Sequence, residues 1–415
     1  MIKRDIYLNR LIERMDNGSV KVITGIRRCG KSTLLFGIFY DYLRSIGIPE
    51  DHIITYKLDN IKNRKLRDPE VLYDVIEKQI LDDDKYYVFL DEVQFVEDFS
   101  ELVNSLNQIE NLDLYVTGSN SKFLSDDILT EFRGRGDEVR VYPLSFSEFY
   151  SAYDGDKYEA WDDYFTYGGM PAIFEQKTAE QKVKYLQTLI SKVYLSDIIE
   201  RRNVIYKDEL DSMVDLLCSS IGSLTNPSKI SRTLCTAKGK SISDVTAKSY
   251  LDHLCDAFLF SIAKRYDIKG RKYLSTPSKY YIADVGLRNA RLNFRQQEEN
   301  HIMENIIYNE LMIRGYSVDV GIVETMVTVD GKRKHITLEV DFIASKGSKK
   351  YYIQSAYEMN TPDKENQENR SLLKIGDSFK KIIVVKDNIK PRTDENGIVK
   401  IGIINFLLDS NSLEL

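Results

Sequence analysis

Cysteine is scarce. The 415 residues carry four, at positions 29, 218, 235 and 255, and none has C-x-x-C spacing. That excludes a disulfide-built scaffold, and the thiols are expected to be reduced in a cytoplasmic protein. Four scattered histidines add no metal-ligand spacing, so a zinc site is not expected. Long apolar runs are missing too. A membrane helix needs about 18 such residues, whereas YYVFL at 86–90 is strand-sized. The first residues, MIKRDIYLNRLIERMD, hold no apolar h-region and do not read as a secretory signal. No membrane partner is expected. Internal repeats and low-complexity linkers are absent. So is a basic surplus: 58 Lys and Arg face 64 Asp and Glu, for a net charge of −6. Bulk charge therefore does not advertise nucleic-acid binding.

What remains is an ordinary globular composition, 42% apolar and 29% charged, long enough for two or three domains at roughly 150 residues each. The charge is unevenly spread. Between Asn226 and Ala290 stand 12 Lys or Arg and 5 Asp or Glu, a surplus of seven that leaves −13 elsewhere. Such asymmetry points to one local anion-facing surface.

The first 150 residues alternate strand-like and helix-like stretches. KVITGI (21–26), ITYKL (54–58), YYVFLDE (86–92) and LDLYVTGS (112–119) read as strands. Lys31–Ser45, DPEVLYDVIEKQI (68–80) and FSELVNSLNQI (99–109) read as helices, with Asp68 as N-cap and Pro69 at the first helical position. This order implies a mostly parallel sheet. From about 157 to 222 the pattern is helical. Two short helices and a turn-rich basic segment come next, and beyond about 300 a helix (301–315) precedes strands near 317–328, 335–344, 351–356 and 381–385.

Residues 25–32, GIRRCGKS, fit G-x-x-x-x-G-K-[ST] between a strand and a helix. Gly25 and Gly30 permit a tight loop whose inward N–H groups, with the helix N-terminus, cradle an anion. The expected nucleotide-binding set is Gly25, Ile26, Arg27, Arg28, Cys29, Gly30, Lys31, Ser32 and Thr33. Lys31 is placed to reach the β- and γ-phosphates of ATP, and Ser32 to ligate Mg²⁺. Cys29 could make the loop oxidation-sensitive or simply be a small loop residue. Sixty residues on, YYVFLDE supplies Asp91 for Mg²⁺ and Glu92 for the attacking water. LYVTGSN offers Asn120 or Ser119 to orient that water. In FRGRGDEVRVYPLSFSEF, Arg135 is the candidate finger acting on a neighbouring subunit's nucleotide, with Arg133 as alternate. A homo-oligomer is thereby expected.

GIRRCGKSTLL, FLDEVQ, LYVTGSNS, the GRG and VYPLSFSEF segment, YGGMP (167–171) and YIADVGLRNA (281–290) together resemble the prokaryotic AAA-type ATP-binding proteins, relatives of AAA+ and STAND ATPases, that carry a C-terminal domain of unknown function. The resemblance implies an α/β fold: a P-loop AAA core at 1–155, a helical lid at 156–222, a winged helix at 223–292 and an α+β nuclease-like domain at 293–415. It also implies that Gly169-Met170-Pro171 packs near the nucleotide base, which makes Pro171 a binding candidate.

In the winged-helix reading, NPSKISRTL and SISDVTAKSYLDHL are two helices and DAFLFSIAKRYDIKGRKYL holds the wing. Lys264, Arg265, Lys269, Arg271 and Lys272 crowd that segment and are the DNA-contact candidates. The last region is similar to PD-(D/E)xK nucleases, which use a helical Glu, a strand Asp and (E/Q)-x-K to hold Mg²⁺. Here those positions read Glu304, Asp341 and Gln354-Ser355-Ala356. Alanine stands where the lysine belongs, so a degenerate, non-cleaving site is expected. Two functions stay open. One is Mg²⁺-dependent ATP hydrolysis coupled to DNA binding or remodelling, including branched DNA. The other is a nucleotide-controlled switch that binds a protein partner.

Overall fold

A computed structural model describes residues 2–118, 136–239, 242–295, 298–329, 332–359 and 361–415. The chain divides into two compact units: Met1–Pro143 with Asp256–Phe258, and Leu144–Cys255 with Leu259–Leu415.

The first unit is an α/β layer structure. Strands β1 (Val20–Thr24), β2 (Ile53–Lys57), β3 (Tyr86–Asp91), β4 (Leu112–Thr117) and β5 (Gly136–Arg140) form a parallel sheet in the order β2-β3-β4-β1-β5. The order places β1 between β4 and β5, so the loop after β1 lies beside the ends of β3 and β4. Strands β1, β3 and β4 are buried along their whole length, as a sheet covered on both faces requires. Burial extends to Lys21, whose ammonium contacts Asp113 of β4. An ammonium taken out of water needs such a counter-charge. Asp113 also accepts from Tyr115 Oη at 2.8 Å. Behind the phosphate-type loop the chain stays helical from Lys31 to Ser45, with a π-helical stretch at Leu34–Phe39. The helix Pro69–Glu77 begins as its sequence suggests: Asp68 accepts from the N–H groups of Glu70 and Val71, with proline at the first helical position.

The second unit opens with helices. Lys157–Tyr167 leads to the 3₁₀ turn Pro171–Glu175, then to a helical run from Ala179 to Arg201 and to Lys207–Ser219. An isolated antiparallel bridge joins Thr225 to Ser278, ahead of the helices Pro227–Lys238 and Asp244–Asp256. Strands β6 (Phe260–Asp267) and β7 (Lys272–Ile282) form a hairpin. The rest supplies β8 (Ser317–Val329), β9 (Lys332–Lys346), β10 (Lys349–Ala356), β11 (Lys380–Val385), β12 (Arg392–Thr393) and β13 (Ile398–Gly402). All eight form one mixed sheet in the order β12-β13-β11-β10-β9-β8-β6-β7.

The β6–β7 hairpin is continuous with the strands beyond residue 300. Strand β6 pairs in parallel with β8, Arg265 opposite Val320 and Asp267 opposite Ile322. An open strand edge with unpaired N–H and C=O groups is satisfied in this way by a later segment of the same chain. Strands β12 and β13 add to the strands that the sequence pattern suggests. Among the described residues no helix is long and apolar enough to cross a membrane.

Candidate functional site

The loop after β1 is shaped by close approaches. Gly25 has φ +135°, and a Cβ there would lie 2.1 Å from the Val141 carbonyl oxygen, so only glycine fits. The thiol of Cys29 donates to that same oxygen at 3.3 Å and is fully buried. The sulfur therefore packs beneath the loop, which disfavours an oxidation-sensitive role. Gly30 has φ +104° and starts the helix at Lys31. Ile26 is buried, while Arg27, Arg28 and Thr33 are exposed. Lys31 is 4% exposed, and its ammonium donates to the Gly25 and Ile26 carbonyls at 2.9 and 3.3 Å. It spans the loop from inside.

Beside it runs a continuous polar chain. Ser32 Oγ donates to Asp91 Oδ1 at 3.0 Å. The Thr117 hydroxyl donates to the same oxygen and accepts from the Glu92 N–H at 3.0 Å. Loop, β3 end and β4 end are thus tied together. Burial pushes the Asp91 carboxyl above its ordinary value, the Glu92 and Asp59 charges adding to this and the two hydroxyl bonds opposing it. Glu92 adopts a left-handed conformation, φ +55° and ψ +48°, and its carboxylate accepts from Gln94. A left-handed glutamate is rare, and here it comes directly after the buried end of β3. A hydroxyl and a carboxylate 3.0 Å apart at the helix start form a hard-oxygen donor set that suits Mg²⁺.

Two residues that the motif does not contain support this site. Arg4 is 5% exposed and donates to the Cys29 carbonyl at 3.0 Å and to the Tyr142 carbonyl at 2.7 Å. The Tyr7 hydroxyl accepts from the Tyr142 N–H at 3.1 Å. Thr117 lies in the strand that pointed to Ser119 and Asn120, two positions earlier than Ser119, and strand alternation gave no reason to prefer it. Ser119, Asn120, Arg133 and Arg135 lie outside the described residues.

Gly169-Met170-Pro171 belongs to the second unit. There the Gly169 N–H donates to Asp284 Oδ2 at 2.6 Å and its carbonyl accepts from Leu144 at 2.8 Å. Gly168 has φ +73°, and a Cβ there would meet the Asp284 carboxylate at 2.2 Å. Asp284 also caps the helix Val285–Arg291 through the Leu287 N–H at 3.1 Å. Burial raises its carboxyl to about 6, against the opposing N–H donors. The YGGMP and YIADVGLRNA blocks are therefore joined by one buried carboxylate. Pro171 starts the 3₁₀ turn.

Of the DNA-contact candidates, Lys264, Lys269, Arg271 and Lys272 are exposed and Arg265 is half-buried. Arg265 donates to the Thr276 carbonyl at 2.7 Å and Lys269 to that of Glu324 at 3.0 Å. Arg271, in the hairpin turn, has φ +52°. In the nuclease-like region, Glu304 lies on the helix Glu299–Ile313, Asp341 on β9 and Gln354 on β10. The structure brings them together: Gln354 Oε1 accepts from the Asp341 N–H at 3.4 Å, and Asp341 Oδ2 accepts from the Ser355 N–H at 2.9 Å. Sequence reasoning missed a fourth member, Lys279 of β7, whose ammonium lies 2.8 Å from Glu304, 2.8 Å from Glu339 and 3.3 Å from Asp341. It stands 25 residues before Glu304, outside any motif spacing.

An uncharacterised protein of Haemophilus influenzae is 37% identical over 418 residues, spanning 98% of this chain and 99% of its own. The two belong to one family. Residues 17–150 match the family model described as an AAA domain, and residues 158–298 match one described as a domain of unknown function. The family's N-terminal part is thus a P-loop module of the AAA type. An uncharacterised protein of Methanocaldococcus jannaschii is 28% identical over 382 residues, 88% of this chain and 81% of its own. Among solved structures, the Aeropyrum pernix ORC1 protein in complex with DNA is similar over 71% of this chain and 93% of its own, at 15% identity and a TM-score of 0.30.

Proposed function

We propose that this AAA-family protein hydrolyses ATP in the loop Gly25–Thr33. The observation that carries the reading is the chain Ser32–Asp91–Thr117–Glu92 running beside the loop lysine. Lys31 offsets charge on the β- and γ-phosphates, and the loop N–H groups bind the phosphate oxygens. Ser32 and Asp91 are the residues that hold Mg²⁺, which when bound neutralises phosphate charge. Glu92 accepts a proton from water as the water oxygen adds to the γ-phosphorus and the bond to the bridging oxygen breaks, releasing ADP. Thr117 fixes the start of the Glu92 backbone, so the carboxylate leaves β3 in one direction. Asn120 and Arg135 complete the reading as a water-orienting residue and a finger supplied by a second copy of the chain.

The client is DNA in this reading. Helix, bridge at Thr225, two helices and hairpin have the order of a winged helix, and its hairpin presents Lys264, Lys269, Arg271 and Lys272 to solvent. Such a hairpin suits phosphate contact. The nuclease-like domain binds or scaffolds without cutting. A protein client is the second reading, favoured by the exposed face of the helix Asp244–Asp256, where Asp244, Val245 and Asp252 stand beside Lys248. Two carboxylates there oppose a phosphate backbone.

The deciding experiment is steady-state ATPase without DNA and with single-stranded, duplex and four-way-junction DNA, with Lys31→Ala as blank. Lys31→Ala is expected to lose ATP binding or turnover, and retention of both would overturn the site. Stimulation by one DNA form supports the DNA client. DNA-independent turnover with measurable ATP binding favours the protein client.

A further inference from the structure

Resemblance to the PD-(D/E)xK nucleases implies a Mg²⁺ ion between Glu304, Asp341 and Gln354. The residues present do not fit one. We infer that the ammonium of Lys279 takes the place of that ion, closing the carboxylate site and fastening the β6–β7 hairpin to the nuclease-like core.

Glu304 Oε1 and both Asp341 oxygens are already engaged. Glu304 Oε1 accepts from Lys279 at 2.8 Å and from the Tyr281 hydroxyl at 2.6 Å. Asp341 Oδ1 lies 3.3 Å from Lys279, and Oδ2 accepts from the Ser355 N–H at 2.9 Å. Glu339, two residues before Asp341 on β9, reaches the same ammonium at 2.8 Å. Backbone packs against one side of Glu304: a Cβ on Gly222 would sit 3.0 Å from its Oε1. The lysine side chain is 3% exposed and the Glu304 and Asp341 side chains 10% and 11%. Among the described residues no group of three or more His, Cys, Asp or Glu side chains is arranged to hold a metal ion.

An ammonium and a divalent ion answer the same need, counter-charge for carboxylates withdrawn from water, but they differ in what they allow. Mg²⁺ requires near-octahedral oxygen donors at about 2.0–2.1 Å and keeps waters that can be activated. An ammonium offers three donors at hydrogen-bond distance and activates none. Lys279 comes from β7, Glu304 from the helix Glu299–Ile313 and Asp341 with Glu339 from β9. The pairing therefore fixes the outer strand of the hairpin to the helix and to β9. With alanine at 356 and lysine at 279, the cation of the site is covalently part of the fold.

The test is Mn²⁺ titration of the nucleotide-free full chain by calorimetry, independent of the ATPase reading because no ATP is present. Wild type is expected to show no Mn²⁺ binding that Glu304→Gln removes, and EDTA is expected to leave its Tm unchanged. Lys279→Ala is expected to lose about 10 °C in Tm, to recover part of that with Mn²⁺, and to lose the recovery when Asp341→Asn is added. Mn²⁺ binding by wild type that disappears in Glu304→Gln would overturn the proposal, as would a folded Lys279→Ala that binds no Mn²⁺. If Lys279→Ala does not fold, the wild-type and Glu304→Gln titrations decide alone.

Discussion

Ser32 Oγ lies 3.0 Å from Asp91 Oδ1, although 59 residues separate them in the chain. The sheet order makes this meeting: β1 leads into the loop, and β3 ends one strand beyond its neighbour β4. Because Thr117 bonds the same oxygen, Asp91 is oriented before any ligand arrives. Asp91→Asn keeps the shape and removes the charge. It is expected to reduce ATP turnover by at least about 100-fold, with nucleotide binding in EDTA little changed. Turnover within about twofold of wild type, against that expectation, would remove Asp91 from the metal-holding role.

Glu92→Gln separates binding from chemistry. Its N–H stays bonded to Thr117, so the backbone turn survives the change, while the amide can no longer accept the water's proton. Fluorescent ATP-analogue titration is expected to match wild type, and single-turnover hydrolysis to fall by roughly 10²–10⁴. Unchanged hydrolysis would assign the proton transfer to another group.

Arg4 holds the loop by two buried charged hydrogen bonds, to the Cys29 and Tyr142 carbonyls. It touches no reacting atom, so it positions the loop. Arg4→Ala is expected to weaken ATP binding about tenfold, which is about 1.4 kcal/mol, with the effect on KM rather than kcat. Arg4→Lys, which keeps one donor direction, is expected to recover part of it. A change confined to kcat would contradict a positioning role.

The phosphate loop, its strand and helix, and the β3 carboxylates were legible because each arises from local spacing: two glycines, a lysine, and an apolar strand ending in Asp-Glu. The N-cap at Asp68 was legible for the same reason. Arg4, Thr117 and Lys279 were not. Each acts on a partner at least 25 residues away, and nothing in its own neighbourhood sets it apart from a surface arginine, a strand threonine or an edge-strand lysine. Lys21 shows the same gap, since the apolar reading of β1 passed over a buried ammonium that only Asp113, 92 residues on, makes tolerable. The hairpin was foreseen as a wing. Its membership in the eight-stranded sheet depends on pairing with β8, which no pattern within the hairpin announces.

The exposed hairpin charges make a separable prediction. Arg271→Asn tolerates the left-handed backbone at φ +52°, and Lys272→Gln leaves its strand intact. If the hairpin lies on a duplex backbone, each lost phosphate contact lowers the slope of log K against log salt by about 0.9. The double variant is expected to lower it by about 2 and to weaken binding equally for all sequences. An unchanged slope measured by fluorescence anisotropy would move the interface off the hairpin.

Asp284 ties the Gly169 N–H to the start of the helix Val285–Arg291 and titrates near 6 rather than near its ordinary 3.8. Burial is the main cause, so the folded state favours the protonated acid. A carboxyl whose folded value is raised contributes stability that is fully present below the unfolded value, and that contribution is lost as pH rises through the folded value. The window is therefore about pH 4 to 6, and its size is about 2–3 kcal/mol at about 1.4 kcal/mol per unit. Asp284→Asn cannot titrate. Its single side-chain oxygen can serve only one of the two N–H donors that face Oδ1 and Oδ2, so it is expected to be less stable than wild type at low pH. The stability difference between wild type and variant is expected to shrink as pH rises from about 4 to 6. Urea denaturation of both proteins at half-unit steps measures that difference directly. A constant difference across the window would mean that Asp284 is already ionised at its lower end and that its N–H donors outweigh its burial.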